Sequence, residues 1–216
     1  MRGRLAVTLL AGTMCGGVAL AAAGPSVKTD HSCYTVGAPV GLAGTGFAAN
    51  RGYDVTVDGV DFGQSSTDSS GGFSTQLVPG GLPAGVPQRV DQLEVTDGTS
   101  DAATSFTVTR PTGARFGAAR GNARQLRAPF QAWGFSLDGT RPTLYVHYVA
   151  PTGRARTTVT LGRTTGQCGY LATAPLRLFP FTPSAGRWTL QVDSASAYSS
   201  QPSGPMARIT VVIRRG

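Results

Sequence analysis

Arg187-Trp188-Thr189-Leu190-Gln191-Val192-Asp193 alternates polar and apolar residues for seven positions. In an extended chain successive side chains point to opposite faces. Trp188, Leu190 and Val192 then share one face, and Arg187, Thr189, Gln191 and Asp193 the other. A helix of 3.6 residues per turn would set Leu190 on the side opposite Trp188, so the run reads as a half-buried strand. Arg208 to Arg214 repeats the pattern, with Ile209, Val211 and Ile213 set against Arg208, Thr210 and Arg214. Working outward, Leu126 to Phe135, Thr143 to Val149, Thr157 to Leu161 and Leu176 to Phe179 read as further strands, six or seven in roughly 100 residues.

The first half follows the same rule. Val40 to Gly44, Tyr53 to Val57, Val60 to Ser65, Gly72 to Val78, Arg89 to Thr96 and Ala102 to Thr109 are predicted strands. Asp58-Gly59 and Asp97-Gly98 fall between runs, where glycine supplies the positive φ of a tight hairpin. From residue 24 onward no stretch sustains a helical period for three turns. Short strands with frequent turns predict an all-β protein of two immunoglobulin-like β-sandwich modules in tandem. An internal echo supports the repeat: Gly46-Phe47 and Gly134-Phe135 lie 88 residues apart, each ending an early strand ahead of a polar turn.

The N-terminus predicts the compartment. Arg2 and Arg4 precede an apolar run from Leu5 to Leu20 that ends in Ala21-Ala22-Ala23, the pattern of a signal peptide cleaved before Gly24. The run is interrupted by Thr8, Gly12, Thr13, Gly16 and Gly17, which disfavours a membrane anchor. Cys15 lacks the preceding residues of a lipobox. The expected mature protein is secreted or extracellular, possesses no membrane span and comprises 24–110 and 111–216. His31, two residues from Cys33, falls in an N-terminal segment that is expected to be mobile.

Charge divides at the same boundary. Residues 24–110 carry four basic and nine acidic residues, a net of −5; residues 111–216 carry thirteen arginines, no lysine and only Asp138 and Asp193, a net of +11. The preference for arginine over lysine has two readings, a GC-rich genome or a surface for polyanions. After loss of Cys15 the pair Cys33 and Cys168 remains. In an oxidising compartment it is expected to form a disulfide that clips the halves together, the alternative being two separately buried thiols.

Gly44-Thr45-Gly46-Phe47, Val55-Thr56-Val57-Asp58-Gly59, Thr67-Asp68, Gly72-Phe73, Pro79 and Val95-Thr96-Asp97 resemble the IPT/TIG-type Ig-like modules that bacteria string along secreted and surface proteins. The resemblance covers roughly residues 33–110 and departs at Ala48-Ala49, where such modules often carry proline. It implies a scaffold and not a catalyst. Residues 111–216, with His147-Tyr148, Leu161-Gly162, Cys168-Gly169 and Phe179-Pro180-Phe181, resemble the second half of secreted actinobacterial two-module proteins; that likeness implies a compartment and an architecture and transfers no site.

The chain is poor in catalytic signatures. It has two histidines, and no G-x-S-x-G elbow, P-loop or H-E-x-x-H is present. His147 reads as a histidine paired across a sheet surface rather than a general base. His31, Cys33, His147 and Cys168 contain the atoms of a zinc site but lack paired short spacings. Asp54, Asp58, Asp61 and Asp68 lie within fifteen residues but lack calcium-loop spacing, and Asp58 and Asp68 read as turn formers. No catalytic, cofactor or metal residue is therefore assigned.

The remaining signal is basic. Arg154 and Arg156 are expected to share a strand face with Arg163 following, while Arg120, Arg124 and Arg127 crowd the start of the second module. Planar guanidinium groups bind phosphate and carboxylate in bidentate fashion. The sequence predicts a non-enzymatic binding or structural protein of the cell envelope. Its expected partner is an anionic envelope polymer held by Arg154, Arg156 and Arg163, or a surface protein, with no specific nucleic acid. The alternatives are a carbohydrate-active enzyme using paired carboxylates, and a protein-interaction module presenting Phe179-Pro180-Phe181 and Tyr198 as an exposed patch.

Overall fold

A computed structural model describes residues 24–117, 122 and 125–214. The predicted signal peptide, residues 1–23, lies outside the described residues, as do Arg120 and Arg124. Every regular element among the described residues is a β-strand. The first module contains β1 (Ser26–Thr29), β2 (Cys33–Thr35), β3 (Val40–Thr45), β4 (Gly52–Val57), β5 (Val60–Ser66), β6 (Phe73–Leu77), β7 (Gln88–Thr96) and β8 (Asp101–Thr109). The second contains β9 (Gly113–Phe116), β10 (Arg127–Ala128), β11 (Phe130–Trp133), β12 (Thr143–Val149), β13 (Ala155–Arg163), β14 (Leu171–Ala172), β15 (Leu176–Arg177), β16 (Gly186–Asp193) and β17 (Ala207–Ile213).

Both modules use the immunoglobulin strand order. In the first, β1-β3-β6 packs against β2-β8-β7-β4-β5, and the opening strand is split so that β2 runs parallel to the last strand, β8. In the second, β9-β11-β14 packs against β13-β12-β16-β17. Pro129 divides one strand of the second module into β10 and β11, because it has no N–H for the ladder. The pairing slips by one residue there: Ala128 faces Leu176, whereas Gln131 faces Ala172. The Thr173 hydroxyl covers the gap by accepting the Phe130 N–H at 3.1 Å.

Each sandwich has its own core. Val40, Leu42, Val55, Leu93, Phe106 and Val108 interleave in the first; Phe130, Leu144, Val146, Tyr148, Trp188, Leu190 and Val192 do so in the second. Each cluster holds thirteen buried residues, so neither module relies on its neighbour for a core. The alternation at Trp188, Leu190 and Val192 is the observed inward face of β16.

The internal echo has a geometric basis. Gly46 and Gly134 both adopt positive φ, at 82° and 71°, and each lies against the backbone entering its own module, Gly24 and Pro25 in one case and Arg110 and Thr112 in the other. The following rings, Phe47 and Phe135, are buried. Against each Phe backbone sits a second positive-φ glycine, Gly71 or Gly169, where a Cβ would fall 2.0 Å from the Phe47 carbonyl oxygen or 2.6 Å from the Ser136 nitrogen.

Three expectations are corrected. The segment expected to be loose forms β1 and β2, held because Asp30 accepts bonds from the Tyr34 hydroxyl at 2.5 Å and the Gly41 N–H at 2.9 Å. The exposed aromatic patch is absent: Phe179 is buried, Phe181 and Tyr198 are half-buried, and Phe179 and Phe181 pack on Tyr148 and Trp188. The expected common strand face of Arg154 and Arg156 does not form, because Arg154 precedes β13 and a register shift follows at Ala155.

Candidate functional site

Cys33 and Cys168 form a disulfide with Cα atoms 5.3 Å apart, joining β2 of the first module to the turn between β13 and β14 of the second. Both thiols of the conceivable zinc set are thereby consumed. The bridge is buried. Around it, the Ser32 hydroxyl donates to Gln167 Oε1 at 3.1 Å, and Arg115 Nη2 donates to the Gly85 carbonyl at 3.1 Å. Arg115 also lies 5.7 Å over the Trp133 ring, whose indole N–H donates to the Pro111 carbonyl. The link between the modules is therefore held from both sides.

Beside the bridge is a cleft of about 840 Å³ lined by both modules. The first contributes Asp30, His31, Cys33, Tyr34, Thr35, Ala38 and Pro39; the second contributes residues of the loop after β11 and, from the loop after β16, Ser194 and Pro205. Loops at the ends of an immunoglobulin sandwich are where such folds carry variable binding surfaces. Asp138 Oδ1 accepts from the Thr140 hydroxyl and N–H and from the Ser136 hydroxyl, at 2.7, 3.0 and 2.8 Å. These bonds, that from Thr140 foremost, hold the Asp138 carboxyl down to about 2. Asp30 is likewise held below the ordinary carboxylate value, mainly by the Tyr34 hydroxyl. Burial, with Asp30 adding to it, pushes the Tyr34 phenol up to about 12.

The paired-carboxylate enzyme needs one acid whose pKa is raised, so that it holds a proton to donate. Both carboxylates of the cleft are shifted the other way and stay ionised. Elsewhere, three of the four acids weighed for calcium are bonded to the protein's own backbone: Asp61 accepts from the Gly63 N–H and Asp68 from Ser70 and Gly72 within their turns, and Asp58 accepts from the Gln92 N–H of β7.

His147 is fully buried, unlike the surface histidine expected. Its Nδ1 lies 2.8 Å from the Thr158 hydroxyl and its Nε2 3.2 Å from Asp193 Oδ1. Thr158, His147, Gln191 and Arg208 form one rung across β13, β12, β16 and β17. The loop after β16 covers this rung: Gln191 Nε2 donates to the Ser199 carbonyl at 2.7 Å, Arg208 Nη2 to the Ser200 carbonyl at 2.6 Å, and the Tyr198 ring lies 5.7 Å from the imidazole. The arrangement fastens a loop. Strand periodicity gave the face of His147 but not the loop that buries it.

The proposed polyanion residues are all exposed. Arg156 lies 4.8 Å over the Phe181 ring, and Arg163 donates to the Arg141 carbonyl at 3.0 Å. The eight residue steps of β13 extend over about 25 Å, so Arg154 and Arg156 at one end and Arg163 at the other make separate points of a strip. Arg127 and Arg177 stand directly opposite each other on β10 and β15, a like-charged pair. Among the described residues the arginine–carboxylate ion pairs are Arg89 with Asp91 and with Asp58, both inside the first module. The ten described arginines of the second module therefore have no carboxylate of a described residue within 4 Å.

Fold and junction together define a two-module, immunoglobulin-like all-β protein with an inter-module disulfide. No protein-family model matches the chain, so the IPT/TIG likeness rests on its quoted motifs. No curated protein is similar to it. Solved structures similar to the chain include the human OSCAR ligand-binding domain, at 9% identity and a TM-score of 0.34 over 88% of this chain and 98% of that one. They also include bovine butyrophilin, at 10% identity and a TM-score of 0.33 over 89% and 100%.

Proposed function

We propose that the protein is an exported, non-enzymatic binding protein of the cell envelope, built of units 24–110 and 111–216, whose second module holds anionic polymers. The observation that carries this reading is the uncompensated charge of the second module. Ten described arginines lack a carboxylate of a described residue within 4 Å, although the first module supplies nine acids. Among the described residues no arginine–carboxylate pair crosses the junction, and Arg127, whose Nη1 donates to the Pro175 carbonyl, stands opposite Arg177 in the strand register.

Arg154, Arg156 and Arg163 are the proposed contacts along β13. Their spread favours an extended polymer over a compact anion, since a chain of repeating negative charges can meet guanidinium groups about 25 Å apart in turn. The contact is electrostatic and exposed, so it weakens as salt shortens the Debye length from about 10 Å at 0.1 M to about 3 Å at 1 M. Sedimentation with isolated cell envelope across a salt series tests the reading. Pelleting at low salt, lost at high salt and lost in the Arg154→Ala/Arg156→Ala/Arg163→Ala variant, is the expected result. Unchanged pelleting of that variant refutes the residue assignment, and no pelleting at any salt refutes the envelope role.

A further inference from the structure

We infer that the cleft between the modules is a separate binding site for a peptide segment of a partner protein in which a basic side chain is flanked by apolar ones. The first observation is its charge. The chain as a whole carries +8, yet this cleft is lined by two aspartates and one histidine, with no arginine or lysine. The two carboxylates come from opposite modules, so a cation between them meets one on each wall.

The second observation is how those carboxylates are held. All the Asp138 bonds from Ser136 and Thr140 fall on Oδ1. The Asp30 bonds from Tyr34 and Gly41 also fall on Oδ1, and the His31 Nε2 lies 3.9 Å from its Oδ2. Each side chain is fixed through one oxygen and keeps the other for a ligand. Both groups are held below the ordinary carboxylate range, so they remain charged in mildly acidic surroundings.

The third observation is the apolar surface between the charges. Leu137, 49% exposed, offers an aliphatic side chain on the cleft wall beside Asp138. Pro39, Pro142 and Pro205 contribute rigid wall, and the disulfide fixes the walls at their base. Less chain entropy is then lost when a ligand orders the site. The volume, about 840 Å³, suits a few residues of extended peptide.

The overall charge supplies a sharp control, because nonspecific attraction to this protein favours acidic peptides. Three fluorescent heptapeptides, with Leu-Arg-Leu, Leu-citrulline-Leu or Leu-Glu-Leu at the centre, are titrated with the intact disulfide-bonded protein and followed by polarisation. The arginine peptide is expected to bind at least about tenfold more tightly than its neutral citrulline twin, and Asp138→Asn or Asp30→Asn to remove about tenfold each. Asparagine keeps an acceptor oxygen for the loop bonds. Leu137→Lys, which disturbs none of those bonds, is expected to abolish the preference by placing a cation in the cleft.

Equal binding of the arginine and citrulline peptides, tightest binding of the glutamate peptide, or an arginine preference that survives both asparagine substitutions and Leu137→Lys would overturn the assignment. So would a concentration-dependent dimer in sedimentation that Asp138→Asn dissolves, since that result gives the cleft to a second copy of the chain. The Arg154→Ala/Arg156→Ala/Arg163→Ala variant is expected to retain the peptide, which separates this site from the polyanion surface.

Discussion

Replacing both bridging cysteines by alanine should cost about 5 kcal/mol and uncouple the modules. The bridge joins residues 135 apart, and closing a loop of that length removes chain entropy from the unfolded state worth about 5 kcal/mol at 25 °C. Alanine avoids burying a hydroxyl, which matters because Cys168 is 0% exposed and Cys33 4%. With a urea slope of about 2 kcal/mol per molar, the loss corresponds to a midpoint lower by about 2.5 M. The protein provides its own reporters. Trp133 and Trp188 both lie in the second module, so indole fluorescence follows that module alone, whereas far-UV circular dichroism follows both. The bridged protein should show coincident transitions by the two probes, and the Cys33→Ala/Cys168→Ala variant separated ones. The separation is expected because each module keeps its own core, and the noncovalent link through Ser32, Gln167, Arg115 and Gly85 is small. A midpoint change below about 0.5 M with coincident transitions would refute the reasoning.

Two further outcomes follow from the geometry. Asp30, Asp68, Asp97 and Asp138 are all held below the ordinary carboxylate value by hydrogen bonds. A depressed folded-state pKa contributes stability that is present above the unfolded value, near 4, and lost as pH falls through the folded value. With Asp138 near 2, the melting temperature should decline between about pH 4 and pH 2, and a flat calorimetric profile across that window would contradict the assignment. Gly71→Ala and Gly169→Ala should each destabilise their own module. Both positions combine positive φ with a close backbone, and the 2.0 Å approach at Gly71 makes that variant the costlier, by about 3 kcal/mol against about 2. In the Cys33→Ala/Cys168→Ala background, where the modules are expected to unfold separately, Gly169→Ala should lower the fluorescence midpoint and Gly71→Ala only the dichroism transition.

The fold was largely legible because a strand covered on one face writes its geometry at period two. Thr143–Val149 emerges with the boundaries its alternation predicts, and Arg187 to Asp193 and Arg208 to Arg214 lie within one residue of β16 and β17. Asp58-Gly59 was equally plain: both residues adopt positive φ, at 49° and 75°, and Val57 pairs with Val60 across them. Strands β1, β2, β9 and β14 were missed because two to four residues are too few to show a period, and their partners lie far away in sequence. The junction cleft was illegible for a stronger reason. Its walls come from residues 30–39, residues 135–142, Ser194 and Pro205, brought together by packing that no local pattern encodes. The signal that existed was local, in Ser136-Leu137-Asp138-Gly139-Thr140, where a self-bonding aspartate turn holds a leucine outward.

The buried rung of the second module connects stability to the junction, and the connection is testable. Ser194 and Pro205 lie at the two ends of the loop that Gln191, Arg208 and Tyr198 fasten over His147, and the same two residues line the cleft. Arg208→Ala removes an exposed guanidinium together with its bonds to the Ser200 carbonyl and to Gln191 Oε1, leaving the apolar core in place. Hydrogen exchange across residues 195–204 should rise about tenfold while the melting temperature changes by no more than about 3 °C. His147→Ala should behave differently, because it leaves a cavity at a fully buried position and takes one of three partners from Asp193, which keeps the Gln191 amide and the Ala195 N–H. Such a loss costs about 3 kcal/mol and lowers the fluorescence midpoint of the whole second module. If the rung is a loop fastener as well as a packing element, the two substitutions converge on one property: both loosen the cleft wall and weaken the arginine peptide, although only His147→Ala weakens the fold. An Arg208→Ala protein with unchanged exchange in that loop and unchanged peptide affinity would show that the loop stands without the rung.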